Sequence, residues 1–347
     1  MVEIQEYVDI KGYSTMKIGG QFRYFAVISS VSDLPSIYAI AQTDEKYKNT
    51  PIFILGGGSN IVFSDGILNV IALKIEIKGF EIVSEEQDYV DIKVGAGEIW
   101  DEIVSRTVDM SLSGFESLSA IPGTVGASPI QNIGAYGAEV KNTILEVEVF
   151  DIKTGAVVTI PNKNCKFGYR DSIFKNEAKG KYVIISVTYR LMKGLWKSSS
   201  ALSYSDVVKY FEDKGIENPS LKQIREAIID IRKEKLPNPK ELPNVGSFFK
   251  NPIISNEIVD KIKKEFANAK LFPVDEKLAK IPAGWLIENA GLKGKSFGKI
   301  SVYKKNALVL VNTGNATSED IISARNEIVK IVEQKFGITL EQEPEII

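Results

Sequence analysis

The apolar positions of this chain come in short bursts broken by glycine, proline and charged residues, a pattern that predicts many brief strands and a few helices. Pro51-Ile52-Phe53-Ile54-Leu55 is a compact apolar run that stops at Gly56-Gly57-Gly58-Ser59-Asn60, and a second strand is predicted from Asn69 to Leu73. In Tyr89-Val90-Asp91-Ile92-Lys93-Val94 apolar and polar side chains alternate, the period of a half-buried strand. That strand meets Gly95-Ala96-Gly97 and then an amphipathic helical stretch from Glu98 to Met110. Leu145 to Phe150 and Val157 to Ile160 flank a Lys153-Thr154-Gly155 turn, which predicts a β-hairpin. Lys222 to Lys233 has helical spacing and ends before Pro237 and Pro239, the expected linker. Beyond the prolines, Asn256 to Phe266 reads as a helix and Ala307 to Val311 as a buried strand. The best-defined element is a helix from about Ser318 to Phe336, with Thr317 as its cap, Glu319 and Asp320 in its first turn and Gly337 just past its end. The pattern implies an α+β protein of two or three domains, without the regular strand-helix alternation of a doubly wound sheet.

Composition narrows the chemistry. With 347 residues, 44% of them apolar, the chain can bury a large core. Its 43 basic and 45 acidic residues leave a formal net charge of -2, so no global field draws it to nucleic acid or an acidic membrane, and anion binding must be local. The acidic start and the lack of a long apolar run lead us to expect a cytoplasmic protein without a secretion signal or membrane span. There is no histidine, which excludes Ser-His-Asp and Cys-His catalysis and histidine-bound metals. Cys165 is the single cysteine, so no internal disulfide can form; it is expected to be a small, half-buried residue, and no metal site is expected. Proton chemistry must therefore use Ser, Tyr, Lys, Glu or Asp.

Two glycine segments are the candidate ligand loops. Gly56 to Asn60, between two strands, can turn tightly and aim N–H groups at an oxyanion. By itself it reads more readily as a structural turn. Ser119-Ala120-Ile121-Pro122-Gly123-Thr124-Val125-Gly126-Ala127 continues through Gly134-Ala135-Tyr136-Gly137, a backbone able to approach a flat ring or a phosphate. It reads equally well as a buried crossing of two chain segments. Neither has Rossmann spacing, and Gly294-Lys295-Ser296 lacks the Walker glycine because position 289 is Asn.

Taken together and in order, these segments resemble the UDP-N-acetylenolpyruvoylglucosamine reductase family. The elements are Ile18-Gly19-Gly20, the Gly56 to Asn60 loop, Ile121 to Gly137, Gly168-Tyr169-Arg170-Asp171-Ser172, Gly246-Ser247-Phe248-Phe249-Lys250-Asn251-Pro252, Ala283-Gly284-Trp285-Leu286-Ile287-Glu288 and the acidic tail, covering nearly the whole chain. Leu202-Ser203-Tyr204-Ser205-Asp206 resembles the subgroup whose inserted loop carries a substrate-contacting tyrosine.

The resemblance implies a vanillyl-alcohol-oxidase-like FAD-binding fold in two subdomains, 1–74 and 75–236. A C-terminal α+β substrate domain is implied at 237–342, with the tail 343–347 returning near the first subdomain. It implies FAD, NADPH as hydride donor, and reduction of an enolpyruvyl UDP-sugar to UDP-N-acetylmuramate for peptidoglycan; without histidine and with one ordinary cysteine the FAD is expected to be noncovalent, and a monomer is expected. FAD would be held by Gly56, Gly57, Gly58, Ser59, Asn60, Ser119, Ile121, Pro122, Gly123, Thr124, Gly126, Ala127, Gly134, Tyr136 and Gly137. Arg170 would bind the substrate carboxylate, Ser247 would donate the proton, and an acidic tail residue would assist. A gapless match selects Glu343 for that third role, whereas matching the Glu-Pro-Glu triplet selects Glu345. Tyr204, Arg232, Lys235 and Asn251 resemble substrate contacts, and Phe272 stands where the subgroup's substrate-facing tyrosine is expected. The rival enzyme is a flavin oxidase of the same fold class; a nonenzymatic flavin- or nucleotide-binding regulator is the other alternative.

Overall fold

A computed structural model describes residues 2–194, 199–267 and 269–347. The chain folds into two compact units, neither of them a continuous stretch. One gathers the stretch ending at Val8 with Phe22–Gly57 and Asn69–Arg232; the other gathers Asp9–Gln21, Gly58–Leu68 and Lys233–Ile347.

The first unit holds two sheets. In one, the strands run in the order Gln5–Asp9, Gln21–Ile28, Ile67–Ile75 and Ile52–Leu55, the last pair parallel, with helix α1 (Asp33–Thr43) in the same unit. The other has the order Val157–Pro161, Ile144–Asp151, Tyr182–Lys193, Tyr89–Gly95 and Phe80–Glu85, antiparallel throughout, with Leu112–Ser113 pairing the end of the long strand. The expected hairpin is here, Val147 opposite Ile160 and Val149 opposite Val158. So is the expected strand-turn-helix, which delivers helix α2 (Trp100–Asp109) one turn past Gly97.

Alternation along Tyr89–Gly95 turns Val90, Ile92 and Val94 into a core that also holds Trp100, Phe115 and Tyr189. The three rings pack at centroid distances of 4.8, 5.0 and 6.1 Å, a geometry that adds to the apolar burial. Their polar tips serve the second glycine segment: Trp100 Nε1 donates to Leu118 O at 3.0 Å, and Tyr189 Oη lies 2.8 Å from Ser128 Oγ. The core thereby fixes where that segment begins and ends. Cys165, expected to be half-buried, is fully enclosed because it sits in this core, where burial pushes its thiol up to about 12.

A helical annex completes the unit. Helices α3 (Ser205–Glu212) and α4 (Leu221–Lys235) close on Val207, Phe211, Ile224, Ala227, Ile228 and Ile231. The spacing of the last four marks one apolar helix face.

In the second unit, the strands Asn244–Ser247, Val309–Asn312, Ile300–Val302 and Ser296–Phe297 form one sheet in that order. A smaller one has Leu278–Lys280 between Ile253–Ser255 and Phe272–Pro273. Its helices are α5 (Asn256–Glu265), α6 (Ala283–Asn289) and α7 (Ser318–Phe336). Helix α7 starts at the expected cap, where Thr317 and Asp320 exchange side-chain and backbone hydrogen bonds as a capping box, and stops at Gly337 with φ 68°. Ile321, Ala324, Ile328 and Val332 form its buried face.

Candidate active site

The two expected glycine segments meet in the first unit. A Cβ on Gly57 would stand 2.8 Å from Gly123 Cα, and one on Gly56 would stand 3.0 Å from Thr124 Oγ1. Only bare backbone fits at the first of these crossings. The arch formed by Ser119, Ile121, Pro122, Gly123, Thr124, Gly126 and Ala127 is anchored at both ends. Ser119 Oγ donates to Glu116 O at 2.7 Å, and the N–H groups of Val125 and Gly126 donate to Glu98 O and Ala96 O, each at 2.9 Å. Lys74, which sequence reasoning missed, donates Nζ to Gly56 O at 2.8 Å, and burial lowers its pKa.

A second cluster in this unit gathers around a tight hairpin. Gly134–Ala135 pairs with Ala138–Glu139, and the two tip residues, Tyr136 and Gly137, have φ of 48° and 79°. Gly168 and Asp171 exchange backbone hydrogen bonds across another tight turn, which throws Arg170 out at φ 55°. Arg170 donates a guanidinium N–H to Gly134 O at 2.7 Å. It lies so close that a Cβ on Gly134 would be 3.0 Å from Arg170 Nη1. The guanidinium thus rests on a glycine.

Arg232, on α4, joins them. Burial depresses its pKa, Tyr136 and Asp101 oppose that shift, and the like charge of Arg170 adds to it. Its Nε is sealed from solvent and, among the described residues, has no hydrogen-bond partner. Tyr204 packs edge-on to Tyr136 with ring centroids 5.6 Å apart and stays 43% exposed. Burial raises the pKa of Tyr136, so this phenol remains a donor at neutral pH. Two permanent cations and two tyrosines therefore converge, a set suited to a carboxylate or phosphate.

The second unit brings Ser247 and the tail together. Ser247 ends a strand whose register shifts between Asn244 and itself, and Gly246 sits in the shift at φ 74°. An added residue in one strand of a pair re-aims the side chain that follows. Immediately beyond, Lys250 N–H donates to Glu341 O and Glu343 N–H to Phe248 O, each at 2.8 Å, while Phe249 bridges Gln342. The tail therefore runs antiparallel beside Phe248 and Phe249, whose buried rings anchor the segment. Glu345 lies farther along, its N–H on Asn60 O at 3.1 Å and its strand paired in parallel with Ile61–Val62. Asn60 Nδ2 reaches back to Glu343 O at 3.5 Å.

Ser59 is half-buried in the same loop, and Gly58 admits no other residue: φ is 62°, and a Cβ would fall 1.8 Å from Tyr13 O. Asn251 has work within the fold, since its Oδ1 accepts the Ala283 N–H at 2.9 Å where α6 begins. Lys235 closes α4 and is half-buried, whereas Phe272 is 51% exposed on the small sheet.

The side-chain-free crossing of Gly57 with Gly123 in the first unit, beside a separate C-terminal unit, fits a flavoprotein with an FAD-binding part and an added C-terminal domain. A family model described as an FAD binding domain matches residues 23–161, and one described as the C-terminal domain of UDP-N-acetylenolpyruvoylglucosamine reductase matches 238–347. The chain is 43% identical over 346 residues to the UDP-N-acetylenolpyruvoylglucosamine reductase of Flavobacterium johnsoniae, covering 100% of each chain. It is 41% identical to that of Bdellovibrio bacteriovorus, covering 99% of each. The chain belongs to this reductase family. The solved structure of the Thermus caldophilus reductase shares the fold, with a TM-score of 0.67 at 21% identity, covering 100% of this chain and 98% of that one. Among the described residues no helix is long and apolar enough to cross a membrane.

Proposed function

We propose that the chain reduces the enolpyruvyl group of UDP-N-acetylglucosamine enolpyruvate to give UDP-N-acetylmuramate, with NADPH as hydride donor. Full-length identity to reductases of that name carries this reading. FAD, when bound, would supply the hydride chemistry that links NADPH to the enolpyruvyl methylene carbon. The Gly56–Asn60 and Ser119–Ala127 segments, with Gly134, Tyr136 and Gly137, would hold that cofactor; the crossing of Gly57 with Gly123 without side chains fits a diphosphate or a flat ring.

Hydride addition leaves negative charge on the adjoining carbon and its carboxylate. Arg170 stabilises the carboxylate with a permanently charged fork, supported by Arg232. Ser247 donates its hydroxyl proton to the carbanionic carbon, and Glu343 steadies the enediolate form or assists that transfer. The proximity of the tail backbone to the Ser247 strand supports Glu343 over Glu345. Tyr204, Lys235 and Asn251 hold the UDP and carboxylate parts of the substrate. The same reading includes a cytoplasmic monomer, which cell fractionation and light scattering test.

The enzyme and oxidase readings separate in one assay. NADPH consumption under nitrogen should depend on the enolpyruvyl sugar and yield UDP-N-acetylmuramate by mass spectrometry. Consumption that requires oxygen and ignores the sugar would reverse the choice.

Gly134→Ala tests the seat of Arg170. The added methyl would press on Arg170 Nη1 and on Ala138 O, 2.8 Å away, displacing a charge-assisted contact. Measured on enzyme saturated with added FAD, KM for the enolpyruvyl sugar should rise about tenfold, a loss of about 1.4 kcal/mol. An unchanged KM would remove Arg170 from carboxylate binding.

A further inference from the structure

Asp101 stands in the first turn of α2, where a carboxylate can interact with the helix dipole from a solvated position, yet its oxygens are committed to two other elements. Its Oδ1 accepts the Ala120 N–H at 2.6 Å. Both oxygens also accept from Arg225 on α4, Oδ1 from Nη1 at 2.6 Å and Oδ2 from Nη2 at 3.0 Å, and Nη2 reaches the Asp101 carbonyl at 3.3 Å. The pair is partly enclosed, the Arg225 side chain only 13% exposed. Ala120 sits at φ 57°, which its Cβ disfavours, and the next residues are the Ile121–Thr124 arch. Arg232 lies two turns along α4 from Arg225, and the charge of Asp101 reaches it as well.

A bidentate carboxylate–guanidinium pair specifies orientation as well as attraction. Here the same carboxylate orients a left-handed alanine on one side and a helix on the other. We propose that Asp101 is a positioning residue for flavin binding: it holds Ala120 left-handed so that the Ile121–Thr124 backbone meets the cofactor, and through Arg225 it sets the α4 face that carries Arg232. This rests on the reading that the Ser119–Ala127 segment holds FAD.

The experiment is FAD titration of the apoprotein, followed by quenching of flavin fluorescence, with thermal melting of each apo variant alongside. Asp101→Ala should raise the FAD dissociation constant at least tenfold. Adding Ala120→Gly to that variant should recover most of the loss, because glycine adopts positive φ without a steric cost. A residue that merely stabilised the fold would lower the melting temperature of the apo variant in step with its FAD affinity, and Ala120→Gly would restore both, because glycine also relieves strain in the fold at positive φ. Absence of rescue, or parental affinity in folded Asp101→Ala, would overturn the proposal.

Should Asp101→Ala fail to fold, Ala120→Val carries the test: a β-branched residue resists the left-handed conformation and should weaken FAD about as much. Parental affinity in that variant would also overturn the proposal. Pro122→Trp, a bulky change at an exposed position of the arch, keeps the two readings apart. If it weakens FAD while Asp101→Ala does not, Asp101 is not a positioning residue. If neither variant changes the affinity, the arch does not hold FAD and both readings fail.

Discussion

Ser247→Ala will give a yellow, folded protein that NADPH still bleaches but that the enolpyruvyl sugar recolours about 10²- to 10⁴-fold more slowly, the usual range for loss of a general acid. The fold should tolerate the change. Ser247 pairs with Val309 through its backbone, and alanine keeps that pairing as well as the Gly246 conformation that aims the side chain. The hydride step from NADPH requires no proton from Ser247, so the first half-reaction should remain within about twofold of the parent; only a step that uses the hydroxyl feels its loss. Stopped-flow absorbance of the two half-reactions separates them. Parental recolouring would remove Ser247 from the mechanism.

Glu343→Gln should slow the same second half-reaction by orders of magnitude, whereas Glu345→Gln should change it only a few-fold. The reason is where the tail attaches. Glu343 is fixed by its N–H to Phe248 O, one residue from Ser247, while Glu345 is fixed to Asn60 O and joins a strand with Ile61 and Val62. Glutamine preserves size and one acceptor but loses the carboxylate's charge and its ability to carry a proton. Rapid-mixing traces of the two variants, compared at one pH, decide the assignment. A large effect at Glu345 alone would transfer the role there, and small, equal effects would remove both residues.

Elements determined by neighbours in the chain were legible before the fold was known. Helix α7 announces itself because Thr317, Asp320 and Gly337 cap it from within a few residues, and the 144–161 hairpin because its turn and alternating strands are contiguous. Boundaries shifted where pairing continued beyond the apolar run, as in Ile67–Ile75 against the predicted Asn69 to Leu73.

The candidate site was drawn from residue types and their order through the resemblance, and its supports were not legible. No local pattern says that residues 9–21 and 58–68 join a unit with 233–347. Nor does any spacing reveal that Asp101 meets Arg225, 124 positions away, or that the Arg170 guanidinium needs Gly134 bare. Those contacts arise from tertiary packing, which hydrophobic periodicity does not encode. Ser247 was singled out only through the family resemblance, since Gly-Ser-Phe by itself reads as a turn, and the register shift at Gly246 became visible only with its partner strand.

The central claim is tested most directly by the visible spectrum of the purified protein under nitrogen, first with NADPH and then with UDP-N-acetylglucosamine enolpyruvate. The account predicts flavin bands that bleach with the first addition and return with the second. Bands that return only when oxygen is admitted, or a protein that carries no flavin and takes none up, would contradict it.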